Sequence, residues 1–132
     1  MESLLHYTWK HRLFPLTPLT TTGGRHVEVI DPGMENRNDG PDFFNAKVKI
    51  DGTLWVGNVE IHVNASDWYL HGHDTDKRYD SVVLHVVATA DREVMRTDCT
   101  PIPQMVLQVP QHIVDNYREL LDADRYPPCY RI

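Results

Sequence analysis

The segment GPDFFNAKVKIDGTLWVGNVEIHV, residues 40–63, decides the fold, because it predicts two β-strands joined by a tight turn. Asp51 and Gly52 form the turn signal, since an Asp-Gly pair accepts the left-handed backbone that a two-residue hairpin turn requires. The two predicted strands cover residues 43–50 and 54–63. The other predicted helices, strands and loops are described by their position before or after this hairpin.

The second strand presents an acid and an imidazole together, because Glu60 and His62 fall on the same face when side chains alternate. Register decides whether Asp42, at the start of the first strand, joins them. A two-residue turn places Asp42 opposite Ile61, on the other face. A three-residue loop or a bulge is expected to place it opposite His62 instead. That other face of the second strand is expected to pack in the core and carries Trp55, Gly57, Val59, Ile61 and Val63.

Elements on both sides of the hairpin complete an α/β domain with a mixed central sheet and flanking helices. Helices are predicted at both chain ends, over residues 3–13 with Ser3 as cap and over residues 111–123. The apolar face of the second helix comprises Ile113, Tyr117, Leu120 and Leu121. Further strands are predicted over residues 26–30, 81–88 and 102–109. Polar loops are predicted over residues 34–40 and 64–81, the latter with a short helix at residues 67–71 capped by Ser66.

The composition indicates one soluble globular domain, since 132 residues with 41% apolar and 24% charged residues suffice for a single core. The sequence contains neither an apolar run of membrane-spanning length nor a secretory leader, so we expect a cytoplasmic protein that does not bind membranes. Cys99 and Cys129 are compatible with a reducing compartment. The net charge of −6 argues against nonspecific coating of nucleic acid but permits a cleft with local basic residues, so nucleic acid remains a candidate partner.

The order of helix, strand, acidic hairpin, crossover and buried strand resembles the αβββαβ core of the PD-(D/E)XK nuclease-like superfamily. Members carry an Asp at the start of one strand and an (Asp/Glu)-x-Lys motif on the next. Here Pro41-Asp42 is followed by Glu60-Ile61-His62. The resemblance implies that Asp42, Glu60 and the Ile61 main-chain carbonyl bind Mg²⁺ or Mn²⁺. His62 takes the lysine position, where it would act as a base or orient a water, although it supplies no permanent positive charge.

A second resemblance rests on several longer sequence motifs. GPDF…WVGNVEIHV…SDWYLHGHD…YDSVVLHVV resembles the hallmark of an uncharacterised bacterial family, domain of unknown function 2851, over roughly residues 1–120. This family implies no particular reaction. Its members are longer, so residues 1–132 are interpreted as a single nuclease-like domain that would be either the N-terminal portion of a longer protein or a truncated form.

Histidine clusters after the hairpin. His71, His73 and Asp74 form an HGHD set whose ligand types suit zinc, and an extended His-x-His would direct both rings to one side. A closed zinc site needs a further ligand from elsewhere, so zinc is less expected than magnesium, and a polar loop with hydrogen-bonded histidines is the plainer interpretation. His85 lies within the apolar strand SVVLHVVA and is expected to be a core histidine or to line the same cleft as Glu60. The tryptophans Trp9, Trp55 and Trp68 are expected to pack in the core.

Three functional hypotheses follow. The first is a divalent-metal-dependent phosphodiesterase or nuclease that uses Asp42, Glu60 and His62. The second is a noncatalytic binding or assembly module on the same scaffold. The third is a zinc hydrolase that uses His71, His73 and one further ligand. The geometry of Asp42, Glu60 and His62 is the observation that separates them best.

Overall fold

Seven strands form one mixed sheet in the computed structural model, which describes residues 1–125, with side chains described through residue 118. The strands are β1 Leu19–Thr20, β2 His26–Asp31, β3 Met34–Glu35, β4 Phe43–Ile50, β5 Thr53–Asn64, β6 Val82–Thr89 and β7 Gln104–Val106. The helices are α1 Glu2–Lys10, α2 Asp67–Leu70 and α3 Gln111–Arg125. Two 3-10 turns, His73–Thr75 and Lys77–Tyr79, lie between α2 and β6. No helix within residues 1–125 is long and apolar enough to cross a membrane.

The sheet is nearly barrel-shaped. Its strand order is β1-β2-β4-β5-β6-β7, and β3 pairs with β4 beside this path. The strands up to β5 pair antiparallel, whereas β5, β6 and β7 run parallel. The two ends approach each other, because Thr21 forms an antiparallel bridge with Met105 and the Thr22 N–H donates to the Gln104 carbonyl at 2.8 Å. The predicted mixed sheet with flanking helices is confirmed, while the described residues place five strands before α2 where an αβββαβ order has three.

The β4–β5 hairpin has the predicted two-residue turn and also a bulge. Ile50 pairs with Thr53, and both turn residues have positive φ, 50° at Asp51 and 82° at Gly52. The register then shifts by one residue, since Ala46 pairs with Gly57 but Phe43 pairs with Val59. The extra residue lies on β4, at a position where Asn45 has φ 56°.

This bulge shifts the register in the direction opposite to the one that the sequence suggested. Continued by one residue, the pairing of Phe43 with Val59 sets Asp42 opposite Glu60, not opposite Ile61 or His62. Residues directly opposite each other in an antiparallel pair share a face. Asp42 therefore lies on the face that carries Glu60.

Apolar residues pack on both faces of β5 and β6, because these central strands are covered on both sides. On one face, Leu5 and Trp9 of α1 pack over a cluster that includes Val59, Ile61 and Leu84. The other face has a smaller apolar cluster that includes Trp68, Tyr79 and Val87. Glu60, His62 and His85 are buried on that second face, at 4%, 2% and 0% exposure.

Several local predictions need correction. Trp55 is 50% exposed, because the start of β5 extends beyond the core, so only Trp9 and Trp68 pack as expected. The first helix ends at Lys10 and begins after Met1, not Ser3. A short strand, β3, lies in the predicted loop 34–40, and β7 is shorter than the predicted strand 102–109. Ser66 precedes α2, yet its hydroxyl donates to Asp91 and does not cap the helix. In α3, Ile113 is buried as predicted, while the side chains of Leu120 and Leu121 lie outside the described part of the chain.

Candidate metal centre

Asp42 and Glu60 form a carboxylate pair joined by main-chain hydrogen bonds. The Asp42 N–H donates to Glu60 Oε1 at 3.1 Å, and the Ile61 N–H donates to Asp42 Oδ2 at 2.8 Å. Helix α1 contributes His6, whose Nε2 lies 3.5 Å from Asp42 Oδ2. The hairpin thus brings together the two acids of the predicted magnesium site, and Ile61 contributes its N–H to the pair.

His62 lies at the centre of a group of imidazoles. Its Nε2 lies 3.2 Å from His71 Nδ1, and one ligand nitrogen from each of His62, His71 and His73 lies within 4.8 Å of the other two. Glu60 Oε2 approaches this group from the strand side, 3.3 Å from His62 Nε2 and 2.8 Å from His73 Nε2. The structure therefore joins the two candidate sites of the sequence into one cluster.

The turn after α2 delivers the two loop histidines. His71 ends α2, Gly72 adopts the left-handed conformation at φ 72°, and His73 opens the following 3-10 turn. This tight turn, and not an extended His-x-His, brings both rings toward His62. Tyr79 stacks on His73 with ring centroids 3.6 Å apart, and Trp68 packs edge-on against the same imidazole. Asp74 lies half-buried in the turn, outside the group of three imidazoles.

His73 has an unsatisfied nitrogen that is directed into the cluster. The residue is 7% exposed, and within residues 1–125 no donor or acceptor meets its Nε2 with hydrogen-bond geometry. Glu60 Oε2 lies 2.8 Å from this nitrogen without forming a hydrogen bond to it. A buried polar atom without a partner is costly, and a cation held between the two groups would satisfy both.

Burial sets the protonation states of the cluster. Desolvation, followed by the positive charge that neighbouring imidazoles would carry, lowers the pKa of His62 to about 2. The pKa values of His73 and His85 are lowered to about 4, again chiefly by burial. Desolvation and the negative charge of Asp42 raise the pKa of Glu60 well above its ordinary value. His62, His73 and His85 are therefore neutral at physiological pH, and for His62 and His73 this is the form that metal coordination requires.

Sequence reasoning missed three residues of the cluster. Gln104 of β7 contacts the buried His85, with its Oε1 2.8 Å from His85 Nδ1. Tyr79 is 6% exposed, and burial together with the negative charge of Glu60 raises its pKa to about 12, so that its phenol stays protonated. His6 reaches Asp42 from α1. A polar Gln104 among apolar neighbours was the one visible signal for the first of these.

Three imidazoles with a carboxylate beside them are a ligand set for a transition metal. Zinc in catalytic sites commonly takes three protein ligands and leaves a position open for water or substrate. Imidazole nitrogen suits zinc, iron, copper and nickel better than it suits magnesium, which prefers oxygen. The carboxylates of Asp42 and Glu60 lie beside the imidazoles and supply such oxygens. The cluster therefore contains ligand types for both classes of ion.

Similarity to known proteins adds a family and no activity. The family of proteins of unknown function DUF2851 matches residues 2–132, which is nearly the whole chain. No curated protein and no solved structure shows significant similarity to it. The family resemblance noted in the sequence is confirmed by this match. The chain belongs to the DUF2851 family.

Proposed function

We propose that the protein is a metal-dependent hydrolase whose metal ion is bound by His62, His71 and His73. The observation that carries this proposal is the convergence of three imidazole nitrogens within 4.8 Å of one another. The buried Nε2 of His73 supports it, because this atom makes no hydrogen bond within the described residues, and a cation bound beside Glu60 Oε2 would give it a partner. Zinc fits this ligand set best.

The surrounding residues take roles that follow from their contacts. Glu60 adjoins two of the ligands, and a bound cation would lower its raised pKa and free the carboxylate to accept and return a proton as general base. The Asp42 N–H donates to Glu60 Oε1 and holds that carboxyl in place, while the Ile61 N–H holds the Asp42 carboxylate. His62 is a weak base at a pKa of about 2, which favours the ligand role over the role of base. When bound, the ion would polarise a substrate oxygen and lower the pKa of a water.

The hairpin supports one substrate class by its likeness to a known arrangement. An acid before β4 and an acid on β5, on one face, is the arrangement that resembles the PD-(D/E)XK core, and this likeness supports a phosphodiester substrate. A phosphodiester also suits the cluster chemically, because cleavage develops negative charge that a divalent ion stabilises.

Metal analysis tests the site directly. Protein purified without chelator should contain close to one equivalent of a transition metal, and His71→Ala and His73→Ala should lose it. His112→Ala, on the exposed face of α3, is the matched control and should retain the metal. Equal metal content in all four proteins, or none in the parent after zinc addition, would contradict the site.

Activity tests the reaction. The metal-loaded parent should cleave bis(p-nitrophenyl) phosphate or a labelled oligonucleotide, and Glu60→Gln should be inactive in either assay. Removing a general base typically lowers the rate by about 10²- to 10⁴-fold. A parent that binds the metal but cleaves neither substrate would favour a noncatalytic binding or assembly module on this scaffold.

A magnesium site at Asp42 and Glu60 is a second candidate, because the two acids lie together and burial leaves Glu60 in need of a counter-charge. In that alternative, Asp42, Glu60 and the Ile61 carbonyl would hold magnesium or manganese, and His62 would act as base. Asp42→Asn should then abolish magnesium-dependent activity while His71→Ala leaves it intact. The zinc proposal expects the opposite sensitivity to His71→Ala.

A further inference from the structure

A continuous chain of buried hydrogen-bonding side chains leads from the edge strand β7 to the candidate metal ligands. We call this chain, formed by Gln104, His85 and His62, the relay. Gln104 Nε2 donates to the Arg92 carbonyl at 3.0 Å, and Gln104 Oε1 lies 2.8 Å from His85 Nδ1. His85 Nε2 lies 2.8 Å from His62 Nδ1. Gln104, His85 and His62 are 5%, 0% and 2% exposed, so water does not compete for these contacts.

The direction of each hydrogen bond follows from the first one. The Arg92 carbonyl can only accept, which turns the Gln104 amide so that its oxygen faces His85. His85 must then carry its proton on Nδ1, which leaves a lone pair on Nε2. His62 in turn must donate from Nδ1 to His85. The consequence is a lone pair on His62 Nε2, the atom that faces His71 and Glu60.

We infer that Gln104 and His85 are positioning residues that hold His62 in the Nδ1–H tautomer with Nε2 presented for metal coordination. This inference rests on the proposed metal site and extends it to two residues that do not touch the ion. Ligating histidines are commonly held in this way, through a hydrogen bond from the ring nitrogen that does not bind the metal. Trp68 supports the arrangement by packing against His85, with ring centroids 5.1 Å apart.

Ordinary core packing is the competing explanation for His85. An apolar side chain of similar size would fill the same space, yet it would leave His62 Nδ1 and Gln104 Oε1 without partners. A glutamine could replace His85 and still offer an oxygen to His62 and an amide to Gln104. His85→Leu and His85→Gln therefore separate packing from hydrogen bonding at one position.

The experiment titrates metal-free parent, His85→Leu and His85→Gln with Zn²⁺ and with Co²⁺, whose visible absorption reports the coordination of the ion. His85→Leu should weaken binding by about 10- to 100-fold, the usual effect of losing such a hydrogen bond. His85→Gln should bind close to the parent. Thr8→Val is the stability control, since it removes a buried hydrogen bond to Leu4 in α1, away from the relay, and should leave binding unchanged.

Nitrogen NMR of the imidazoles gives a readout that packing alone would not move. In the metal-free parent His62 should be protonated on Nδ1, and in His85→Leu it should shift toward the Nε2–H tautomer that isolated histidine prefers. If His85→Leu does not fold, Gln104→Met provides the same test one step further along the relay.

The outcomes separate the relay from the site itself. A parent that binds the metal together with a His85→Leu variant of equal affinity would overturn the relay and leave the metal centre standing. His62 protonated on Nε2 in the parent would also overturn the relay. A parent that binds neither Zn²⁺ nor Co²⁺ would instead overturn the metal centre proposed above, and with it the positioning role.

Discussion

Asp42 and Glu60 face each other across the β4–β5 pair, with the Asp42 N–H donating to Glu60 Oε1 at 3.1 Å. The relationship depends on one inserted residue. Without the bulge at Asn45, the two-residue turn would set Asp42 opposite Ile61 and direct its carboxylate to the other face of the sheet. A single left-handed residue therefore decides whether the second acid belongs to the site.

Asn45 tests this dependence. Its φ of 56° suits Asn or Gly but strains a β-branched residue, so Asn45→Val should destabilise the protein by about 1–2 kcal/mol. Asn45→Gly should keep the bulge and stay within about 1 kcal/mol of the parent. Urea denaturation measures both, and metal titration should show weakened binding in Asn45→Val alone. Equal stability of the two variants would mean that the bulge does not require a left-handed residue.

Gly72 should be important for the loop histidines. Its φ of 72° lies in the left-handed region, so Gly72→Ala should cost about 1–2 kcal/mol and displace His71 relative to His73. Gly24 has φ 84° and open space around the added methyl, so Gly24→Ala should cost a similar amount far from the cluster. Zinc titration should find weakened binding in Gly72→Ala only. Parallel losses in both variants would point to general destabilisation.

The stability of the metal-free protein should depend on pH in two opposed ways. The pKa of Glu60 is raised in the fold above its ordinary value of 4.5. The free energy that Glu60 adds to the stability of the fold is therefore fully present below pH 4.5 and is lost as the pH rises. The pKa of His73 is lowered from 6.5 to about 4, so its contribution is complete above pH 6.5 and is lost as the pH falls through about 4. Glu60→Gln removes the first dependence.

Thermal denaturation in EDTA checks this. Glu60→Gln should unfold at a higher temperature than the parent at pH 8. The difference should shrink toward pH 5, because close to its ordinary pKa of 4.5 Glu60 stays protonated in the fold at little cost in free energy. The same variant should have lost hydrolytic activity, so stability and function would be exchanged at one residue. An equal gain at both pH values would assign the effect to packing and not to ionisation.

Two tryptophans should differ sharply in their contribution to stability. Trp9 is fully buried and its Nε1 donates to the Pro32 carbonyl at 2.9 Å, so Trp9→Ala should cost about 3–5 kcal/mol. Trp55 is 50% exposed, and Trp55→Ala should cost less than half as much, because much of its surface already lies in water. Denaturant unfolding of both variants checks the ranking. A Trp55→Ala loss equal to that of Trp9→Ala would place Trp55 in a core.

The hairpin and the buried strand β6 could be predicted because their signals are local. The Asp51-Gly52 pair defines the turn, and the run from Val82 to Ala88 is apolar enough for a strand covered on both faces. The register could not be predicted, since the bulge at Asn45 depends on contacts with neighbouring strands. The near closure of the sheet was equally invisible, because it joins Thr21 to Met105, far apart in the chain.

The residue types of the candidate centre could be predicted from the sequence. That the residues of the strand and those of the turn lie together in one cluster could not. Sequence patterns placed Glu60 with His62 on a strand and His71 with His73 on a turn, as separate candidates. Whether the turn folds back over the strand depends on Trp68 and Tyr79 packing beneath it, which is a matter of tertiary contacts. Gln104 could not be assigned a role, because its partner His85 lies on another strand.

The seam of the sheet gives Gln104 two tasks at once. Its main-chain carbonyl receives the Thr22 N–H where the two ends of the sheet meet, while its side chain orients His85 inside. Pairing of β7 with β6 already brings Gln104 beside His85, and the contact with Thr22 then holds β7 from its other side. Closure of the sheet therefore secures, from the far side, the strand whose side chain faces His85, so a substitution at Thr22 could reach the histidines without touching any of them.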